Sequence, residues 1–282
     1  MVLLNMAVTK SITFVAAVNN REVFESNFLA SPCLSSPHSH QILVQEKFSS
    51  ASKAYNDAID KAQNDLIVFA HQDMIFPKQW LSQLESALKQ LEAEDSNWGV
   101  LGCYGETRDP VGRGYIYSSG LGVMGKPFEK PEPVQTLDEI VLVTRKSSGL
   151  RFDDQLPHFH LYGADICMSA LETGRRSYAI SAFCIHNTKQ FLILPPEYYD
   201  CYRYFKTKWR DFLPIQTTCM RVTRFGVSMY SRKLLDLYLE HIKHKKLSAD
   251  RVEDGRILLA EFGDASRSGA EIASENGGYA RR

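Results

Sequence analysis

The sequence has no run of about 18 apolar residues, so no membrane-spanning helix is expected. It also lacks a surplus of either charge. Its 33 Lys and Arg balance 33 Asp and Glu, without the basic excess that a nucleic-acid partner normally leaves. The six cysteines, Cys33, Cys103, Cys167, Cys184, Cys201 and Cys219, include no CxxC pair. Spread this widely, with no export signal, they read as reduced thiols of a cytoplasmic protein. The opening MVLLNMAVTK has no basic region and is broken by Asn5 and Lys10, so it is expected to lead into a strand rather than act as a signal peptide. The glycines between 105 and 135 do not follow the spacing of a strand-to-helix phosphate loop, and no internal repeat is visible.

What is present is an alternation. Residues 11–18 (SITFVAAV), 41–45, 66–70 (LIVFA) and 98–104 have the apolar, β-branched character of strands. Between them, Ala51, Ala54, Tyr55, Ala58, Ile59 and Ala62 fall at helical spacing behind a capping Ser49 or Ser50. A second helix starts near Pro77 with Trp80, Leu81, Leu84, Leu88 and Leu91 on one face. The order β, β, α, β, α, β predicts an α/β fold, a mostly parallel sheet flanked by helices. Ligands bind beyond the carboxyl ends of such strands. Asn19-Asn20 and His71-Gln72-Asp73 both follow strand ends, so one crevice is expected to hold them.

Residues 105–135 read as loops and short irregular strands. Gly102, Gly105 and the stretch 112–125 suit either ordinary turns or a wall of the site. A strand at 137–144, a helix at 162–172 ended by Gly174, and a strand at 178–185 closing on His186 follow. Helices rich in aromatic and basic residues are expected at 197–212 and 231–246. The stretch from Asp264 has too few apolar residues to order itself.

Asp73 would suit either a cap for the helix behind Pro77 or a ligand for a hard cation. Asp165 lies where its charge favours a helix N-terminus, and His186 would suit a structural group or a ligand. Cys33, His38 and His40 have no second pair at zinc-finger spacing. His158 and His160 share one side of an extended segment, in a solvated loop or an acceptor pocket. The cluster from Tyr198 to Trp209 has three readings: a packed helix face, a lid with lysines near a phosphate, or a peripheral membrane contact. No Ser, His and Asp ordering suggests a hydrolase.

Taken in order, ITFVAAVNN, ASKAYNDAIDKAQNDLIVFAHQDM, LDEIVLVTRKSSGLRFDDQLPHFHLYGADICMSALETG and CIHNT resemble glycosyltransferases of the GT-A fold. The likeness is to the glycosyltransferase-like branch of the inverting family 2 enzymes, over roughly residues 11–210. It implies a GT-A domain over 1–195 (a nucleotide half to 104 and an acceptor half from 105), to which the residue patterns add a helical extension over 196–263 and a flexible tail over 264–282. It further implies that Val18 and Asn19 hold the nucleobase and that Asn56, His71 and Gln72 face the donor. Asp73, in HQD where the family has Asp-x-Asp, would bind Mn²⁺ or Mg²⁺ with His186. Asp165, preceded by Ala164 instead of the usual acidic residue, would be the catalytic base. A UDP- or GDP-sugar would be the donor and a glycan or small hydroxyl compound the acceptor. Two rivals share the fold: a sugar nucleotidyltransferase, which needs a glycine-rich loop that VNNREVF lacks, and a non-catalytic binding protein.

Overall fold

The computed structural model describes residues 11–35, 40–188, 193–241 and 251–263. The first ten residues, His38, the expected flexible tail and residues 242–246 of the last expected helix lie outside them. The chain opens with β1 (Thr13–Val18), α1 (Arg21–Ser26), β2 (Gln41–Glu46), α2 (Ala51–Lys61), β3 (Leu66–His71), β4 (Met74–Ile75) and α3 (Trp80–Glu94). Seven strands follow: β5 (Val100–Gly102), β6 (Tyr104–Glu106), β7 (Gly112–Ser118), β8 (Gly122–Gly125), β9 (Glu132–Val134), β10 (Thr136–Leu137) and β11 (Val141–Arg145). The remainder is α4 (Tyr162–Glu172), β12 (Ser177–Ala179), β13 (Cys184–His186), α5 (Pro196–Lys208), β14 (Ile215–Gln216), β15 (Arg221–Val222), α6 (Val227–His241) and α7 (Gly255–Phe262).

The main sheet has the order β2-β1-β3-β11-β5-β12-β9. Strands β1, β2 and β3 are mutually parallel, β11 runs antiparallel between β3 and β5, and β12 is parallel to β5. Most of the sheet therefore points one way, as the alternation predicts. Side chains alternate between two buried faces. Val15, Ile67 and Phe69 join Tyr55 and Leu142 on one side. Phe14, Ala16, Val68 and Ala70 meet Phe76, Trp80 and Leu84 on the other. A strand covered on both faces has no polar side, which is why 66–70 is uninterrupted. Phe14 and Phe69 are fully buried, each contributing roughly 1.5–3 kcal/mol by removal from water.

A second sheet, of order β10-β6-β7-β13-β4 with β8 on β7, takes up much of the stretch expected to be irregular. Three expected strands are divided between the sheets, one of them 137–144, which begins in β10 and continues as β11. Residues 98–104 supply β5 to one and β6 to the other, and 178–185 supply β12 and β13 in the same way. Hydropathy could not mark the break, because Ile180, Ala182 and Phe183 between the halves are all buried. The chain also crosses from sheet to sheet between β3 and β4, and between β10 and β11.

Helix α5 sends Tyr198, Cys201, Tyr202 and Phe205 into the core beside Tyr55 and Phe152, the packed-face arrangement among the three readings. No helix among the described residues is long and apolar enough to cross a membrane. None of the six cysteines is in a disulfide.

Candidate active site

The crossing from β3 to β4 sets the site. His71 ends the parallel strand, Asp73 lies in the turn, and Met74 pairs antiparallel with His186 on β13. The Asn187 N–H donates to the Asp73 carbonyl at 2.9 Å, so a two-rung ladder brings together side chains distant in sequence. Asp73 Oδ1 lies 3.3 Å from His186 Nε2, and the His71 and His186 rings meet edge-on at 5.5 Å. One donor atom from each of His71, Asp73 and His186 lies within 4.8 Å of the others.

Arg251 completes the group. Its Nη2 donates to Asp73 Oδ2 at 2.7 Å and its Nε to the Asn187 carbonyl at 2.7 Å. The segment carrying it is stapled by Asn187, whose Nδ2 donates to the Val252 carbonyl and to Asn27 Oδ1, each at 2.7 Å. Nothing in sequence pattern flags Arg251.

Burial by itself would raise the Asp73 pKa. The His186 and His71 imidazoles beside it and the Arg251 guanidinium outweigh it and hold the carboxyl well below the ordinary range. Asp73 is thus a buried carboxylate, 6% exposed. Desolvation, with His186 adding to it, pushes His71 down, which keeps that imidazole neutral. The Tyr162 hydroxyl donates to the Glu139 carbonyl (3.3 Å), so His71 Nε2–H donates to Tyr162 (2.9 Å). Among the described residues, His186 Nε2 is buried with no hydrogen-bond partner. An imidazole nitrogen facing a carboxylate oxygen, with a second imidazole within 4.8 Å, is a donor set that fits a divalent cation.

These residues line a cavity of about 980 Å³, ample for a ligand of nucleotide-sugar size. Val18, Asn19 and Asn20 line it at the end of β1, and Glu46, Lys47 and Phe48 at the end of β2. The β2 residues were not expected in the site, although the strand-end rule that selected Asn19 covers them equally. Tyr55, Phe159, His160 and Tyr162 form the aromatic side. Gln72 clamps the β1–α1 turn: its Oε1 accepts the N–H groups of Asn19 and Asn20 at 3.0 Å each, and its Nε2 donates to Asn19 Oδ1 at 2.6 Å. Asn20 in turn caps α1 by accepting from the Val23 N–H.

Three expectations need correction. Asn56 does not line the cavity. Its Nδ2 donates to the Phe152 carbonyl (2.8 Å) and Asp154 Oδ1 (2.6 Å), and its Oδ1 accepts from the Phe152 N–H, so the amide is spent on pinning the 151–154 loop. Asp165 does not line it either. It is 1% exposed, gripped by Lys208 Nζ at 2.8–2.9 Å and by the Trp209 indole N–H at 2.7 Å. Burial raises its pKa against the lowering pull of Lys208. The same contacts place Lys208 away from the cavity, bonded also to Asp153, which removes it from a phosphate-holding lid. Finally, His158 and His160 do not share a face. His158 has a φ of 57°, which breaks the extended alternation. It turns to Asp200 at 3.4 Å, while His160 lines the cavity. Burial, with His71 nearby, lowers the His160 pKa to about 4. Of the imagined zinc group, Cys33 is buried and His40 Nδ1 accepts from the Ile12 N–H at 3.3 Å.

Residues 13–206 match a family model described as "Glycosyltransferase like family". A protein of Fuscovulum blasticum named "ATP synthase subunits region ORF 6" is 27% identical over 138 residues, 47% of this chain and 55% of that protein. The chain thus spans about half the length of this curated relative. Among solved structures, S. aureus TarS in complex with UDP aligns over 83% of this chain and 73% of its own, with 12% identity and a TM-score of 0.45. The mannosyltransferase PcManGT from Pyrobaculum calidifontis, in complex with GDP-Man and Mn²⁺, aligns over 93% and 72%, with 10% identity and a TM-score of 0.42.

Proposed function

The chain belongs to the glycosyltransferase-like family, and from that premise we propose that it transfers a sugar from a UDP- or GDP-sugar to a hydroxyl of a glycan or small acceptor, by single displacement with inversion. The observation that carries this reading is the His71, Asp73 and His186 cluster in the cavity, with the His186 Nε2 buried and unpartnered. His71, Asp73 and His186 would hold a divalent cation, and two imidazoles in the donor set favour Mn²⁺ over the oxygen-seeking Mg²⁺. When bound, the cation would neutralise charge on the departing diphosphate.

The remaining roles belong to the chain itself. Arg251 lines the cavity with Nη2 on Asp73 and Nε on the Asn187 carbonyl, and it binds diphosphate oxygens beside the cation. Val18 and Asn19 receive the nucleobase on a turn that Gln72 holds rigid. His160, neutral at pH 7 and on the cavity wall, takes the acceptor proton in place of the sealed Asp165, because a base must lie within hydrogen-bond reach of its hydroxyl. The disulfide-free cysteines fit the expected cytoplasmic setting.

The sealed Asp165 favours one second reading, a protein that binds a nucleotide sugar without transferring it. Calorimetric titration of UDP and GDP with and without Mn²⁺, on wild type and Asp73→Ala, tests the shared site. Metal-dependent binding that Asp73→Ala abolishes is expected, and binding of neither nucleotide overturns the proposal. Release of UDP or GDP from the matching sugar nucleotide, lost in His160→Ala while nucleotide affinity is kept, then selects transfer over binding alone.

A further inference from the structure

Helix α6 is turned inside out. An amphipathic helix on a globular protein normally buries its apolar stripe and shows its charges to water. Here the buried position is Asp236, 4% exposed, which accepts from the Tyr199 hydroxyl at 2.6 Å, the Leu194 N–H at 3.2 Å and Arg232 Nε at 2.8 Å. The apolar residues face outward: Val227 is 67% exposed, Tyr230 62% and Leu234 68%, at spacings of three and four that stack them on one side. Phe225, just before the helix, is 81% exposed. Single exposed apolar residues are ordinary, but a contiguous stripe marks a contact.

The charge around this stripe says what covers it. The chain as a whole is neutral, yet the described residues 221–241 hold four Lys and Arg against two Asp and Glu. One of those two acids, Asp236, is consumed by Arg232. Arg221, Arg224 and Lys233 are exposed beside the helix. A second copy of the chain would set two such basic faces against each other. Neither terminal segment outside the described residues supplies the opposite charge: 1–10 has one Lys and no acid, and 264–282 has three of each sign. Nucleic acid would answer the cations but leave the stripe in water.

We propose that α6 is a membrane-surface helix, lying in the interface of an anionic lipid bilayer with Val227, Tyr230 and Leu234 in the acyl boundary and the flanking Arg and Lys on the headgroups. A bilayer offers both an apolar phase and negative charge, and tyrosines suit that boundary because the ring is apolar and the hydroxyl wet. The Asp236 hub serves this arrangement by fixing the helix with its polar side to the protein, through Tyr199 on α5. Since Tyr198 packs at 5.6 Å on His160 of the cavity wall, the membrane-facing surface and the site are mounted on the same helix.

The test is co-sedimentation of the full-length protein with vesicles of phosphatidylcholine alone and of phosphatidylcholine mixed with phosphatidylglycerol. Binding to the mixed vesicles is expected, weakening as salt rises and falling about five-fold for each of Arg224→Gln and Lys233→Gln. The double variant Tyr230→Ser, Leu234→Ser should abolish it with an unchanged melting temperature, since both side chains are exposed. Failure to bind mixed vesicles, or equal binding to both kinds, overturns the proposal. So does a dimer in sedimentation velocity that the same double variant dissociates, or binding to a short DNA duplex in preference to vesicles. None of these outcomes depends on nucleotide or metal, so the proposal stands or falls apart from the transfer reaction.

Discussion

Two buried carboxylates define two very different regions. Around Asp73, each oxygen has a different neighbour, an imidazole nitrogen without a hydrogen-bond partner on one side and a guanidinium on the other, and the group faces a large cavity. Around Asp165, an ammonium and an indole N–H take up the carboxylate and close over it. The first arrangement leaves coordination capacity unused, and the second leaves none. Burial alone therefore does not mark a functional carboxylate. What distinguishes them is where the compensated carboxylate lies: Asp73 lines an open cavity, and Asp165 is sealed beneath Lys208 and Trp209.

The sharpest way to break this comparison is to remove each acid in turn. Asp73→Ala should cost several kcal/mol of charge stabilisation and lower kcat/KM at least ~10³-fold, while Asp165→Asn should leave metal-dependent nucleotide affinity within about two-fold and lower the melting temperature instead. Loss of turnover in Asp165→Asn without loss of stability would reopen the sealed region as catalytic. The next largest effect belongs to Lys208→Met. It strands Asp165 as a buried charge and should destabilise the fold by about 3 kcal/mol in chemical denaturation, the lower end of the range for breaking a buried pair, because Lys208 is partly exposed.

His160 sharpens the contrast through pH. Its folded pKa of about 4 lies below the ordinary value of 6.5, so the unfolded chain binds the extra proton first. Its contribution is present above pH 6.5 and is lost as pH falls, reaching about 2 kcal/mol by pH 5. Melting curves of His160→Gln should be correspondingly flatter across that window. Smallest is Arg251→Ala, expected to weaken UDP or GDP binding about ten-fold, one charge-assisted contact. Removing a positive neighbour of Asp73 should also leave Mn²⁺ affinity equal or tighter, and a weaker Mn²⁺ site would identify Arg251 as a positioning group for the carboxylate.

Much of this was legible in the sequence because strand ends are. Apolar runs stopping at Asn19 and His71 located the crevice, and a histidine closing a later strand led to His186. Asp165 was misjudged for a physical reason: its partners are Lys208 and Trp209, in a helix whose charges are plain in sequence but whose direction is not. Asn56 failed similarly, since only the return of the 151–154 loop uses its amide. The division of the expected strands at 98–104 and 178–185 was invisible because the residues between the halves are as buried as the strands. The outward stripe of α6 obeys helical periodicity perfectly well. Periodicity says that a helix has two faces and is silent about which one meets the protein.

The Asn187 staple has a consequence for the order of events during synthesis. Asp73 is made early, His186 two-thirds of the way along, and Arg251 near the end, while chains emerge at roughly 5–20 residues per second and fold from the front. The parallel strands β1, β2 and β3 can form long before the cavity has its full set of charges. A nascent chain that has passed His186 already carries the two imidazoles and the carboxylate, with no guanidinium to occupy Asp73 Oδ2. For those seconds the cluster proposed to hold a cation has no guanidinium on Asp73, so an ion would meet both carboxylate oxygens before the last segment docks.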